Sequence, residues 1–92
     1  MNEIVATAKP LIGHGFRLQW EPAQNTHVLL YPEGMVKLNA SAGEILSRCD
    51  GQRTLDEIIG DLERTFSQSG LTQDVTNFVS YAVGQKWLEI RA

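Results

Sequence analysis

The chain changes its period near the middle. Between residues 16 and 38 apolar and polar side chains alternate or run in short blocks. From about residue 39 onward apolar positions recur every three or four residues. Phe16, Leu18 and Trp20 alternate with Arg17, Gln19 and Glu21, the two-residue period of a half-buried strand. Pro22 breaks the run and Ala23-Gln24-Asn25 supplies a turn. His27-Val28-Leu29-Leu30-Tyr31 is a second, more apolar strand. In Pro32-Glu33-Gly34, proline suits the first central position of a turn and glycine a position with positive φ. Met35-Val36-Lys37-Leu38 is a short third strand. Connections this tight predict an antiparallel meander.

The second half carries three helical stripes. Ala42, Ile45, Leu46 and Cys49 fall on one face of the first, with Ser41 and Glu44 in a capping-box pattern and Asp50-Gly51 as its stop. Thr54 and Glu57 repeat the capping box for the second, whose stripe is Leu55, Ile58, Ile59, Leu62 and Phe66. After Ser67-Gln68-Ser69-Gly70 a third helix starts near Thr72 or Gln73. Its stripe is Leu71, Val75, Phe78, Val79, Ala82 and Val83, and Asp74 favours its N-terminal dipole. Gly84 and Trp87-Leu88-Glu89-Ile90 suggest a turn into a short closing segment. The expected fold is α+β and winged-helix-like: a three-stranded antiparallel sheet followed by three helices that cover one face. Residues 1–15, punctuated by Pro10 and Gly13-His14-Gly15, read as a flexible lead-in to a single domain over 16–92.

Composition narrows the function. Ninety-two residues suit one domain with one modest core and little room for a deep catalytic cleft. The net charge of −3 is the wrong sign for a protein that lives on phosphates. One cysteine builds no disulfide framework and fits a reducing compartment. No apolar run approaches the roughly 20 residues of a membrane helix, and the first residues show no signal-peptide pattern. A cytoplasmic protein, off the membrane, is expected.

Catalytic and metal-binding constellations are missing from the pattern. His14 and His27 stand alone, without a second ligand at helical spacing. Cys49 lies on an apolar stripe, where a small buried hydrophobe is the plain reading. Gly13-His14-Gly15 lacks the lysine and spacing of a phosphate loop, and no Gly-x-Ser-x-Gly elbow occurs. No catalytic residue, metal or cofactor is assigned. A winged-helix DNA binder would show lysines and arginines on its recognition helix. The outward residues of the third helix are Gln73, Asp74, Thr76, Asn77, Ser80 and Tyr81, so nucleic acid is not an expected partner.

What remains is backbone. The outer strands of a meander each keep an unpaired edge, and an extended peptide can join one by strand addition. The third strand runs directly into the helices, so its edge can border the third helix. On that helix Asp74, Phe78, Tyr81 and Gln85 lie along one flank of the buried stripe, with Phe78 and Tyr81 as an aromatic wall.

Several blocks together carry a resemblance. Leu29-Leu30-Tyr31-Pro32-Glu33-Gly34, Leu38-Asn39, Ser41-Ala42-Gly43-Glu44-Ile45-Leu46 and Cys49-Asp50-Gly51-x-Arg53-Thr54-Leu55-x-Glu57-Ile58 follow in order. Lys9-Pro10 and Phe16-Arg17-Leu18-x-Trp20-Glu21-Pro22 precede them. The set resembles the PqqD family of pyrroloquinoline quinone (PQQ) biosynthesis. One departure is Asn39-Ala40-Ser41, where the family has an acidic residue after the third strand. The resemblance implies a non-catalytic peptide chaperone, or recognition element for ribosomally made peptides. It would bind the precursor PqqA and present it to PqqE, a radical S-adenosylmethionine enzyme. Residues 16–92 would then be a peptide-recognition domain. Val36, Lys37 and Leu38 would pair with the peptide backbone, with Phe78, Tyr81, Ala82 and Gln85 on the helix side. The loop holding Asp50 and Arg53 reads first as structural, a helix stop and a new N-cap, and second as a docking point for the enzyme. A subunit that only scaffolds the enzyme is the alternative. An exposed edge also allows a homodimer through strand pairing or segment exchange.

Overall fold

The computed structural model of the protein describes residues 4–91. Residues 1–3 of the expected lead-in and Ala92 lie outside the described residues. Five strands form two antiparallel sheets around three helices. β2 (Arg17–Glu21), β3 (Thr26–Tyr31) and β4 (Gly34–Lys37) make the expected meander in the order β2-β3-β4. β1 (Lys9–Ile12) and β5 (Leu88–Arg91) make a second, two-stranded sheet. The helices between are α1 (Ala40–Leu46), α2 (Leu55–Thr65) and α3 (Thr72–Gly84).

The meander is built from two hairpins with fixed register. Leu18 faces Leu29, and Leu29 faces Val36, so these three share the side turned to the helices. The core continues from Leu29 through Leu38, Ile45 and Leu46 of the α1 segment to Leu55, Ile58 and Leu62 of α2 and Val75, Val79 and Ala82 of α3. Burying each Leu, Ile or Val contributes roughly 1.5–3 kcal/mol, so this cluster dominates the fold. α1 crosses close over β3 at Gly43. A Cβ there would stand 2.6 Å from the His27 Nδ1 and 3.1 Å from its Cβ, so the His27 side chain would have to shift.

Several local expectations need correction. The lead-in assigned to 1–15 contains β1, whose Lys9 lies opposite Arg91 and Ile12 opposite Leu88. The closing segment is thus a strand, paired with the other end of the chain. The N-cap of α1 is Asn39 rather than Ser41: its side chain accepts from the Ala42 amide at 2.8 Å. The helix then ends at Leu46, and Cys49 lies in the following loop, still buried. The Thr54–Glu57 capping box is formed as the sequence indicates. Phe66 falls at the C-cap of α2 and is 46% exposed, outside the buried stripe of Leu55, Ile58, Ile59 and Leu62. Gly34 is absent from the positive-φ residues; a Cβ there would instead meet the Tyr31 hydroxyl at 3.2 Å.

β1 is held on both sides. β5 flanks it on one, and the loop after α1 flanks it on the other: the Gly51 amide donates to the Pro10 carbonyl at 2.9 Å, and Leu11 bridges Asp50. A proline is tolerated in this strand because its ladder to β5 runs through Lys9 and Leu11, leaving position 10 facing the loop. Gly51 has φ +78°, and a Cβ on it would lie 3.3 Å from the Leu11 Cβ. Just upstream, the Ala8 and Ala6 carbonyls accept from the Leu55 and Asp56 amides. These two bonds satisfy first-turn amides of α2 that its own capping box leaves free.

Candidate functional site

The site is best built from β4, whose only strand partner among the described residues is β3. In an antiparallel pair, residues alternate between exchanging main-chain bonds with the partner and pointing those groups the opposite way. The Leu38 amide donates to the His27 carbonyl at 3.2 Å. Counting back along the register, Val36 bonds to Leu29 and Gly34 to Tyr31. The N–H and C=O groups of Met35 and Lys37 therefore point outward along the open edge. Met35 is 51% exposed and Lys37 is exposed, and among the described residues no second strand pairs along this edge.

Beyond Lys37 the chain turns into α1 and meets a groove of about 670 Å³. One wall is Asn39, Ala40, Ser41 and Ile45. The other is Leu71, Val75 and Phe78 of the α3 segment, and Leu62 and Phe66 close the end. Two carboxylates, Glu44 and Asp74, complete the lining, which includes no lysine or arginine. The groove suits an apolar side chain delivered from the β4 edge.

The peptide-contact residues singled out from the sequence fall into four places. Lys37 is at the open edge, and Phe78 lines the groove half-buried. Val36 packs toward the core and Leu38 is 6% exposed, so both contribute side chains to the interior and main-chain bonds to β3. Ala82 is sealed in the core. Tyr81, 55% exposed, stands edge-on to Trp87 with ring centroids 5.6 Å apart, and Gln85 caps the C-terminus of α3. Neither Tyr81 nor Gln85 lines the groove. Met35, Asn39, Phe66 and Leu71 were not singled out. The hairpin register carries the signal for Met35, and the last apolar position of the α2 stripe carries it for Phe66.

Asp50 and Arg53 lie in the loop that clamps β1. Asp50 accepts from the Gln52 and Arg53 amides at 2.9 and 3.1 Å, and those bonds hold its carboxyl below the ordinary carboxylate range. Arg53 pairs with Asp50 at 3.7 Å and reaches Asp61 on α2 at 4.0 Å. Asp61 is also held low, chiefly by its hydrogen bond from Arg48. Burial, with Asp50 alongside, pushes the Cys49 thiol up to about 12, which leaves it a neutral core side chain. Among the described residues no three His, Cys, Asp or Glu side chains are grouped to hold a metal, and no helix is long and apolar enough to cross a membrane.

Comparisons with known proteins agree on one family. The family model described as Coenzyme PQQ synthesis protein D (PqqD) matches residues 26–88. A protein of Stutzerimonas stutzeri strain A1501, named PqqA binding protein, is 49% identical over 92 residues, covering 99% of this chain and all of the relative. Its namesake from Azotobacter vinelandii is 48% identical over 91 residues, covering 98% of this chain and 99% of the relative. Among solved structures, one superposes with a TM-score of 0.71 at 28% identity, covering 87% of each chain. It is the solution structure of the PqqD part of Methylobacterium extorquens PqqCD, described as a functional, stand-alone recognition element for ribosomally synthesized and post-translationally modified peptides.

Proposed function

The chain belongs to the PqqD family, and on that premise we propose that it is a non-catalytic carrier of the precursor peptide PqqA in PQQ biosynthesis. The peptide joins the β2-β3-β4 sheet as a strand on β4. Its main chain pairs with Met35 and Lys37, and an apolar side chain enters the groove beside Phe78. The observation that carries this reading is the coincidence of an open strand edge with an apolar groove at its end. The bound peptide is then presented to the radical S-adenosylmethionine enzyme PqqE. The partly exposed Asp50–Arg53 pair lies outside the groove, on a surface that a bound peptide would leave open to that contact. Such a carrier works in the cytoplasm, where a ribosomally made peptide first appears. A homodimer formed through β4 would compete with the peptide for the same main-chain groups.

The test is titration of the purified chain with synthetic PqqA, by calorimetry and by amide chemical shifts. One site per chain is expected, with the largest shifts at Met35, Lys37, Ala40 and Phe78. Binding that leaves β4 unshifted would overturn the strand-addition mode. Absence of binding by the folded monomer, with affinity for PqqE retained, would make the chain an enzyme scaffold instead.

A further inference from the structure

Resting on the strand-addition reading, we infer that Lys37 is a specificity residue that selects an acidic side chain of the peptide, on the sheet face turned away from the helices. The register fixes which face each side chain takes. Val36 packs toward the core, so Met35 and Lys37 project from the opposite face. Through the pairings, Val28, Leu30, Gln19 and Arg17 share that outer face with them. The Arg17 guanidinium leans on Gln19 at 3.4 Å, consistent with one common face. The charges on this side are thus Arg17 and Lys37, with Glu21 at the far end of β2.

The two faces beside the open edge differ in sign. On the helix side the groove is apolar, and its charged lining is Glu44 and Asp74. On the outer side the exposed Lys37 is the charge on β4 itself. Among the described residues every ion pair joins Arg48, Arg53 or Arg64 to Glu44, Asp50 or Asp61, so Lys37 takes part in none of them. A strand laid on β4 sends alternate side chains to the two faces, in either direction of addition. The helix side accepts an apolar residue and repels an acid. The outer side, opposite Lys37, rewards an acid and repels a lysine. The ligand class is therefore an extended peptide segment with apolar residues alternating with at least one Asp or Glu.

The experiment is a charge-reversal cycle. Each Asp or Glu of synthetic PqqA is replaced in turn by Lys, and each peptide is titrated against the wild-type chain and Lys37→Glu. One position is expected to lose about fivefold or more in affinity to the wild type, and Lys37→Glu is expected to restore it, the size of a well-placed charge pair. Circular dichroism checks that Lys37→Glu is folded, and Lys37→Gln serves as a neutral variant with the same expected direction. If no position is rescued while the Met35 and Lys37 amides still shift on peptide addition, the selection by Lys37 is wrong and strand addition stands. If those amides do not shift, strand addition itself fails.

Discussion

β1 and β4 are both four-residue strands at the side of a small sheet, yet one is closed and the other open. β1 has β5 on one flank and the Asp50-Gly51 loop on the other. Its residues are half-buried or buried, and Pro10 is among the most deeply buried side chains. β4 has β3 alone, and three of its four residues are exposed. Strand length and local propensity do not separate these outcomes. What separates them is whether a loop elsewhere in the chain supplies main-chain donors to the second side. The family-like Cys49-Asp50-Gly51 motif does this for β1. Nothing in the described residues does it for β4, so that side stays open, the edge on which the proposed peptide would pair.

The sharpest break of the closed side is Gly51→Val. It places a β-branched residue at φ +78° against Leu11, and strain plus crowding should cost about 3 kcal/mol of stability in urea unfolding. The folded fraction should bind PqqA unchanged. The matching break of the open side is Lys37→Pro. Its lost N–H points outward, so the fold should keep its stability to within about 1 kcal/mol, while peptide affinity falls about tenfold or more. If Lys37→Pro unfolds the domain, the alternation along β4 is misassigned. Phe66→Ser comes next. This side chain is 46% exposed in the groove, and its removal should weaken PqqA binding about threefold to tenfold, read by calorimetry, with little change in melting temperature. The smallest effect is acid sensitivity of the clamp. Asp50 and Asp61 both titrate below their ordinary value of 3.8 in the folded protein. Their contribution is therefore complete above that value and is lost as the pH falls through the lowered one. Thermal melts should be flat from about pH 5 to 8 in this respect and decline toward pH 3. Asp50→Asn, being at an exposed pair, should remove under about 1 kcal/mol of the difference.

Much of this was legible in the sequence, for physical reasons that also explain the gaps. The Thr54–Glu57 capping box and the meander rest on contacts a few residues apart, and the structure forms them. The β1–β5 sheet rests on residues at opposite ends of the chain, with a proline in one strand, and no local period announces it. Asn39 displaced Ser41 as the cap of α1 because both residues can cap and the helix begins two residues before the Ser41 box would allow. At the candidate site, the sequence singles out the stretch 36–38 but not its alternation. Only the Leu38 amide on His27 separates Lys37, which faces outward, from its two neighbours. Phe78, which lines the groove, stands out in the sequence because its place on the helical wheel is local. The groove around it depends on how α1, α2 and α3 meet.

The pairing of the first strand with the last also sets an order of events for folding. The β2–β3–β4 meander and α2 close short loops, whereas β1 cannot meet β5 until nearly the whole chain has collapsed between them. Loop-closure entropy puts that encounter late, so substitutions in β1 and β5 should chiefly accelerate unfolding, while those in the β2–β3 hairpin should slow folding. The open β4 edge is thus assembled early, and the lock that joins the first and last strands acts as the kinetic latch on a platform already formed.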